Sequence, residues 1–187
     1  MSVFENHDSE SLIGTIIDGR YEIESEQSRS SSSKSFVAND QRSGSQVILR
    51  LFSAEASAQY GAELLAEAVE VSEISHPHIV RLTNSGRTKV NDTERVFTVQ
   101  ERLTGGSLQD MIDRNRLLTP SQALVVGLEV CRALDYAHKR GMSHHDLRPS
   151  SILFGEDRKV RVADFGVSSV IAEMAWADDA MVSQERA

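Results

Sequence analysis

Short apolar runs separated by polar turns fill the first half of the chain. Tyr21-Glu22-Ile23 alternates with a period of two, and Phe36-Val37-Ala38 follows a polar stretch. Asp40 to Ser45 makes a turn before the mainly apolar run Val47 to Phe52. The period then changes: Leu64, Ala68, Val71 and Ile74 recur at helical spacing, and Pro77 stops the pattern, which predicts a helix from Ala58 to Ile74. Ile79 to Leu82 and Arg95 to Glu101 read as two more strands, joined by a polar connection containing Asn84, Gly86 and Asn91-Asp92. Together these runs predict a five-stranded antiparallel sheet with one main helix packed on it.

The second half is helical first and then extended. A short helix is expected near Leu108 to Arg114. Thr119 as N-cap, Pro120 at the first helical position and Gln122 completing a capping box start a longer one, with Leu124, Leu128, Cys131 and Leu134 on one apolar face and Gly141 near its end. Two short β-prone runs follow, Ser151 to Phe154 and Val160 to Val162, flanked by Asp146 and Asp164. Such a hairpin sets two carboxylates beside one cleft. One acid can orient a hydroxyl nucleophile while the other holds a divalent ion that bridges phosphates.

Composition narrows the class. The 187 residues are 40% hydrophobic and 26% charged, which is a globular composition with room for one domain. Twenty-eight acids against 20 bases give a formal charge of −8 with no long basic run, which argues against a general nucleic-acid binder. The polar, acidic start MSVFENHDSESL is unlike a signal peptide, and no span approaches the roughly 20 apolar residues of a membrane helix, so the expected location is cytoplasmic. The single cysteine, Cys131, is expected to be a buried, inert thiol. His138, His144 and His145 do not have the spacing of a recognised zinc motif.

The words of the hairpin region are more specific than its spacing. His144-His145-Asp146-Leu147-Arg148-Pro149-Ser150-Ser151, then Asp164-Phe165-Gly166, resembles the catalytic loop H-R-D-L-x-x-x-N and the D-F-G of protein kinases, of the bacterial serine/threonine type. Val47-Ile48-Leu49-Arg50 resembles V-A-I-K, and His76-Pro77-His78-Ile79-Val80 resembles the family's H-P-N-I-V. The resemblance implies an α+β protein-kinase-like fold: a small lobe (16–102) after a flexible leader (1–15), then the hinge and the first part of a helical large lobe (103–187). It implies Asp146 as catalytic base, Arg148 at the phosphate-contacting position of the catalytic loop, and Asp164 and Ser151 as magnesium ligands. It also implies a nucleotide site made by Arg50 paired with Glu67, by Ile48 and Leu153 stacking on adenine, by the backbones of Glu101 and Leu103 after gatekeeper Gln100, and by Ser28, Ser30 and Ser33 at the glycine positions of the phosphate loop. Val71, Leu82, His144 and Phe165 would form the packed spine that joins the lobes.

Several positions depart from the family pattern. Serines replace all three loop glycines, where the backbone must approach phosphate oxygens closely; the tract Ser28 to Ser35 is expected to be mobile and solvated. Arg50 replaces a lysine, Arg148 another, and Ser151 an asparagine. Each lost preorganised contact costs about 3 kcal/mol of transition-state stabilisation. ATP and magnesium binding are therefore expected to be weak or lost. The leading expectation is a pseudokinase acting as a regulatory, nucleotide-sensing or scaffolding module. The alternatives are an active ATP-dependent kinase with an atypical phosphate loop, and a truncated fragment without independent function. The resemblance runs from about Ile16 to Val170. The apolar face of the Thr119 helix is thus expected to need either further large-lobe helices or a protein partner to cover it.

Overall fold

The computed structural model describes residues 11–165; the expectations for residues 1–10, for Gly166 and for the segment after it lie outside the described residues. An antiparallel six-stranded sheet, in the order β1-β2-β3-β4-β6-β5, forms the small lobe. Its strands are β1 (Ile16–Ile17), β2 (Tyr21–Arg29), β3 (Ser33–Asp40), β4 (Ser45–Phe52), β5 (Leu82–Val90) and β6 (Thr93–Glu101). The five expected strands are joined by the two-residue β1, which pairs with Tyr21 and Glu22. Leu12 packs on the core, and Gly14 N–H donates to the Ile23 carbonyl at 2.8 Å, so residues 12–17 are fastened to the sheet and are not a free leader.

Helix α1 (Ala54–Ser72) starts four residues before its expected position because the Ser53 hydroxyl accepts the Ala56 N–H at 3.1 Å and caps it. The expected strand at Ile79 to Leu82 begins instead at Leu82. Ile79 and Val80 run beside Val162 of the large lobe, with Val80 N–H on the Val162 carbonyl at 2.9 Å. Asn84 and Gly86 are strand residues, and only Asn91 and Asp92, at φ 49° and 61°, make the turn between β5 and β6. Two successive left-handed residues match the twist of a tight hairpin.

The large-lobe part comprises α2 (Leu108–Asp113), α3 (Pro120–His138) and the hairpin β7 (Ile152–Phe154) and β8 (Val160–Val162). The Thr119 box is formed in both directions: its hydroxyl accepts Gln122 N–H, and its own N–H donates to Gln122 Oε1. The buried stripe of α3 is Val130, Ala133 and Ala137; of the expected face, Leu134 packs half-buried against the same core, while Leu124, Leu128 and Cys131 lie outside it. Both stripes are apolar, but the alanines let α3 approach β8 closely. In consequence Cys131 is exposed and not buried, and Leu124, Val125 and Leu128 stand 75%, 55% and 53% exposed.

One cluster ties the two lobes together. Ala68 and Val71 of α1, Ile74, Ile79 and Leu82 meet Val130 and Ala133 of α3, Ile152, Val162 and Phe165. Burial of these side chains, at about 25 cal/mol per Å² of apolar surface, positions α1 against the β7–β8 hairpin.

Candidate functional site

Between the lobes lies a cleft of about 550 Å³. Ser28, Ser30 and Ser33 with Ile48 and Arg50 roof it, Gln100 and Leu103 form its rear edge, and Asp146, Arg148, Ser151, Leu153 and Asp164 form its floor. Eleven of the 13 predicted site residues thus converge on one space. Glu67 and Glu101 are not among its walls. Glu67 is half-buried on α1, and the Glu101 carboxylate accepts the Arg81 N–H at 2.9 Å.

The rear edge is set by backbone docking. Gly105 N–H donates to the Phe154 carbonyl at 3.0 Å, and Phe154 N–H to the Gly106 carbonyl at 2.9 Å. A Cβ on Gly105 would lie 2.5 Å from the Phe154 carbonyl oxygen, so only glycine lets the interlobe turn reach β7. That contact places Leu153 on the floor opposite Ile48.

The serine turn at the roof is ordered by its own hydroxyls. Ser30 Oγ accepts the Ser33 N–H at 3.1 Å and lies 3.4 Å from Ser32 Oγ, while Ser30 N–H donates to the Ser33 carbonyl at 2.9 Å. The expected solvated tract is solvated only in part: Ser28, Ser30 and Ser31 are exposed, whereas Ser32, Ser33 and Ser35 are buried where the turn joins β3.

The expected partner of Arg50 is not the one it takes. Its Nη2 donates to Asp164 Oδ1 at 2.7 Å, and its Nε lies 3.4 Å from Ser35 Oγ, so the Arg50–Glu67 pair expected from the resemblance is replaced by one 114 residues away in sequence. The longer guanidinium reaches across the cleft to the floor. On the floor, Arg148 grips Asp146 with two nitrogens, Nε to Oδ1 at 3.0 Å and Nη2 to Oδ2 at 2.5 Å. Ser151 is committed to the backbone: its hydroxyl donates to the Arg148 carbonyl at 2.8 Å and accepts the Arg148 N–H at 3.2 Å. It is 2% exposed, and its oxygen closes a turn at the floor of the cleft.

The loop before Asp146 carries backbone strain. His145 sits at φ 60° inside a three-residue turn closed by Asp146 N–H on the His144 carbonyl at 2.7 Å, and Asp164 sits at φ 68°. Neighbouring packing holds both. His144 Nε2–H donates to the Ala163 carbonyl at 2.7 Å, and its ring meets Phe165 edge-on with centroids 4.8 Å apart. With Val71 and Leu82 in the same core, the expected spine is assembled.

Six polar wall residues were not expected: Gln27, Arg29, Ser35, Ser107, Asp110 and Ser150. The signal for Ser35 was available, since it shares the face of Ser33 and Val37 on β3. Asp110 accepts the Ser107 backbone N–H at 2.7 Å and its hydroxyl at 2.8 Å, capping α2, and these bonds hold its carboxyl below the usual carboxylate range. Among the described residues no group of three or more His, Cys, Asp or Glu side chains is arranged to hold a metal.

Comparison with known proteins places this geometry among relatives. The family model described as protein kinase domain matches residues 21–185. The "Probable serine/threonine-protein kinase PknB" of Bifidobacterium longum is 31% identical over 174 residues, 89% of this chain and 25% of that protein. The serine/threonine-protein kinase PknB of Mycobacterium tuberculosis is 30% identical over 107 residues, 57% of this chain and 17% of that protein. The chain thus spans a quarter or less of the length of these relatives. The solved PknI kinase domain of Mycobacterium tuberculosis shares the fold, with a TM-score of 0.72 at 22% identity, over 86% of this chain and 64% of that one.

Proposed function

This chain belongs to the protein kinase domain family, and from that premise we propose that it is a nucleotide-binding member whose phosphotransfer is impaired, acting as a regulatory or scaffolding module. One observation carries the reading: each carboxylate that the reaction needs is held by an arginine standing where the family has lysine. We divide it into a small lobe, 16–102, and the start of a large lobe from 103.

Members of the family use ATP and magnesium, and the two parts of that ligand fit unequally. A cleft of about 550 Å³ with Ile48 above and Leu153 below suits a planar base. The metal set does not fit: Asp164 is engaged by Arg50 and the Ser151 hydroxyl by its own backbone. A general base must offer an oxygen within about 2.6–3.2 Å of the proton it takes, and both oxygens of Asp146 carry Arg148 nitrogens.

The two clamps differ in strength. Arg148 and Asp146 are 60% and 34% exposed, so that pair is screened by solvent and worth at most about 1 kcal/mol. Arg50 and Asp164 are 19% and 28% exposed and form the firmer block. An active kinase is the second reading, supported by the retained Asp146 and Asp164 and by the packed His144 and Phe165.

Thermal unfolding with ATP, with and without magnesium, together with a phosphotransfer assay on a generic protein substrate, separates these readings. The expected result is a midpoint raised equally by ATP under both conditions, with no measurable transfer. A rise that requires magnesium, is lost in Asp164→Asn and accompanies turnover would overturn impairment in favour of the active enzyme.

A further inference from the structure

The cleft holds as many acids as bases. Among its described lining residues the charged side chains are Arg29, Arg50 and Arg148 with Asp110, Asp146 and Asp164. Each arginine is already bound to a carboxylate. Arg50 donates to Asp164 at 2.7 Å and Arg148 to Asp146 through two nitrogens, while Arg29 grips Glu26 through Nε and Nη2 at 2.9 Å each. Asp110, which caps α2, adds a further negative charge.

The roof offers an anion no better grip. Ser33 N–H donates to Ser30 Oγ at 3.1 Å and Ser30 N–H to the Ser33 carbonyl at 2.9 Å, so both amides are bonded within the turn. A polyphosphate must therefore pull an arginine off its carboxylate. At Arg50 and Arg148 the acid left behind lines the same space, and like charges side by side oppose binding. The formal charge of −8 on the whole chain adds to that repulsion.

The rest of the lining is neutral. Ile48 and Leu153 stand above and below the space, and Gln27, Gln100 and several serines supply uncharged donors and acceptors. A volume of about 550 Å³ suits a small organic ligand. We propose that the ligand of this cleft is an uncharged purine nucleoside, held by base and sugar, and that the arginine–carboxylate pairs exclude the polyphosphate of a nucleotide. This deepens the nucleotide-binding reading above and rests on it. A nucleoside brings the planar surface that Ile48 and Leu153 can cover and none of the charge that the pairs would have to break apart to meet.

The test is isothermal titration calorimetry of the full chain with adenosine and with ATP, in EDTA and again in magnesium. Adenosine should bind about tenfold more tightly than ATP in EDTA, and no less tightly than ATP in magnesium. Asp164→Asn and Asp146→Asn each release an arginine, and each should shift the affinity ratio toward ATP by about tenfold. Asp135→Asn removes the same charge from the exposed pair with Lys139 on α3 and should leave the ratio unchanged. ATP binding more tightly than adenosine in either condition, a ratio unmoved in either cleft variant, or an equal shift in Asp135→Asn overturns the proposal while the nucleotide-binding reading stands. Binding of neither ligand overturns both.

Discussion

Replacing Arg50 with methionine removes the guanidinium from Asp164 while keeping a long apolar stem. Arg50 Nη2 lies 2.7 Å from Asp164 Oδ1, with the side chains 19% and 28% exposed. Charge centres about 4 Å apart attract by about 4 kcal/mol at an effective dielectric constant of about 20. Desolvation offsets part of this, leaving about 1.5–3 kcal/mol for a charge-assisted hydrogen bond. A divalent ion seeking Asp164 must displace that bond, so Arg50→Met should tighten binding by about 10- to 100-fold. Manganese is the probe, with free ion followed by electron paramagnetic resonance in the parent chain, Arg50→Met and Arg102→Met. Arg102→Met removes the same formal charge, but its guanidinium bonds Gln46 at 2.7 Å outside the cleft. Adding Asp164→Asn to Arg50→Met should abolish the gain. Equal affinities in Arg50→Met and Arg102→Met would refute the reasoning, because the arginine would then not be what limits metal access.

Two further predictions concern the scaffold. Asp40 accepts two nitrogens of Arg20 at 2.7 Å each, the Ser43 hydroxyl at 2.8 Å and the Arg42 N–H at 3.0 Å, and these bonds, Arg20 first, hold its carboxyl well below the usual carboxylate range. Its contribution is therefore complete above the unfolded-state pKa of about 4 and is lost as pH falls toward the lowered native value; urea titrations from pH 7 to pH 3 should show that acid-side loss shrink in Asp40→Asn, which should also cost about 2 kcal/mol at pH 7. Cys131, exposed on α3, should react with a thiol reagent in the native chain at a rate close to that in denaturant; protection by more than about tenfold in the native state would place it in the core.

Signals confined to a few residues were legible in the sequence. The Thr119-Pro120-Gln122 start, the alternating Tyr21 to Ile23 with the apolar runs of β3 and β4, and the order of Asp146 and Asp164 around a short hairpin each act through neighbours along the chain, and each formed as read. The family resemblance supplied the rest of the architecture, including the packed group Val71, Leu82, His144 and Phe165.

Choices between competing partners were settled only in three dimensions. Both apolar stripes of α3 had helical spacing, and the one with alanines was buried because it fits closely on β8, which left Cys131 outside. Ser151 had a ligand's position, but its hydroxyl bonds a carbonyl and an N–H of its own turn. Arg50 had a family partner in Glu67, yet its longer, planar head group reaches Asp164 from the opposite lobe. Sequence alone determined the local elements and the identity of the cleft residues, because propensity and capping are short-range. The tertiary structure decided which of those residues are occupied by each other, because reach and burial depend on segments more than a hundred residues apart.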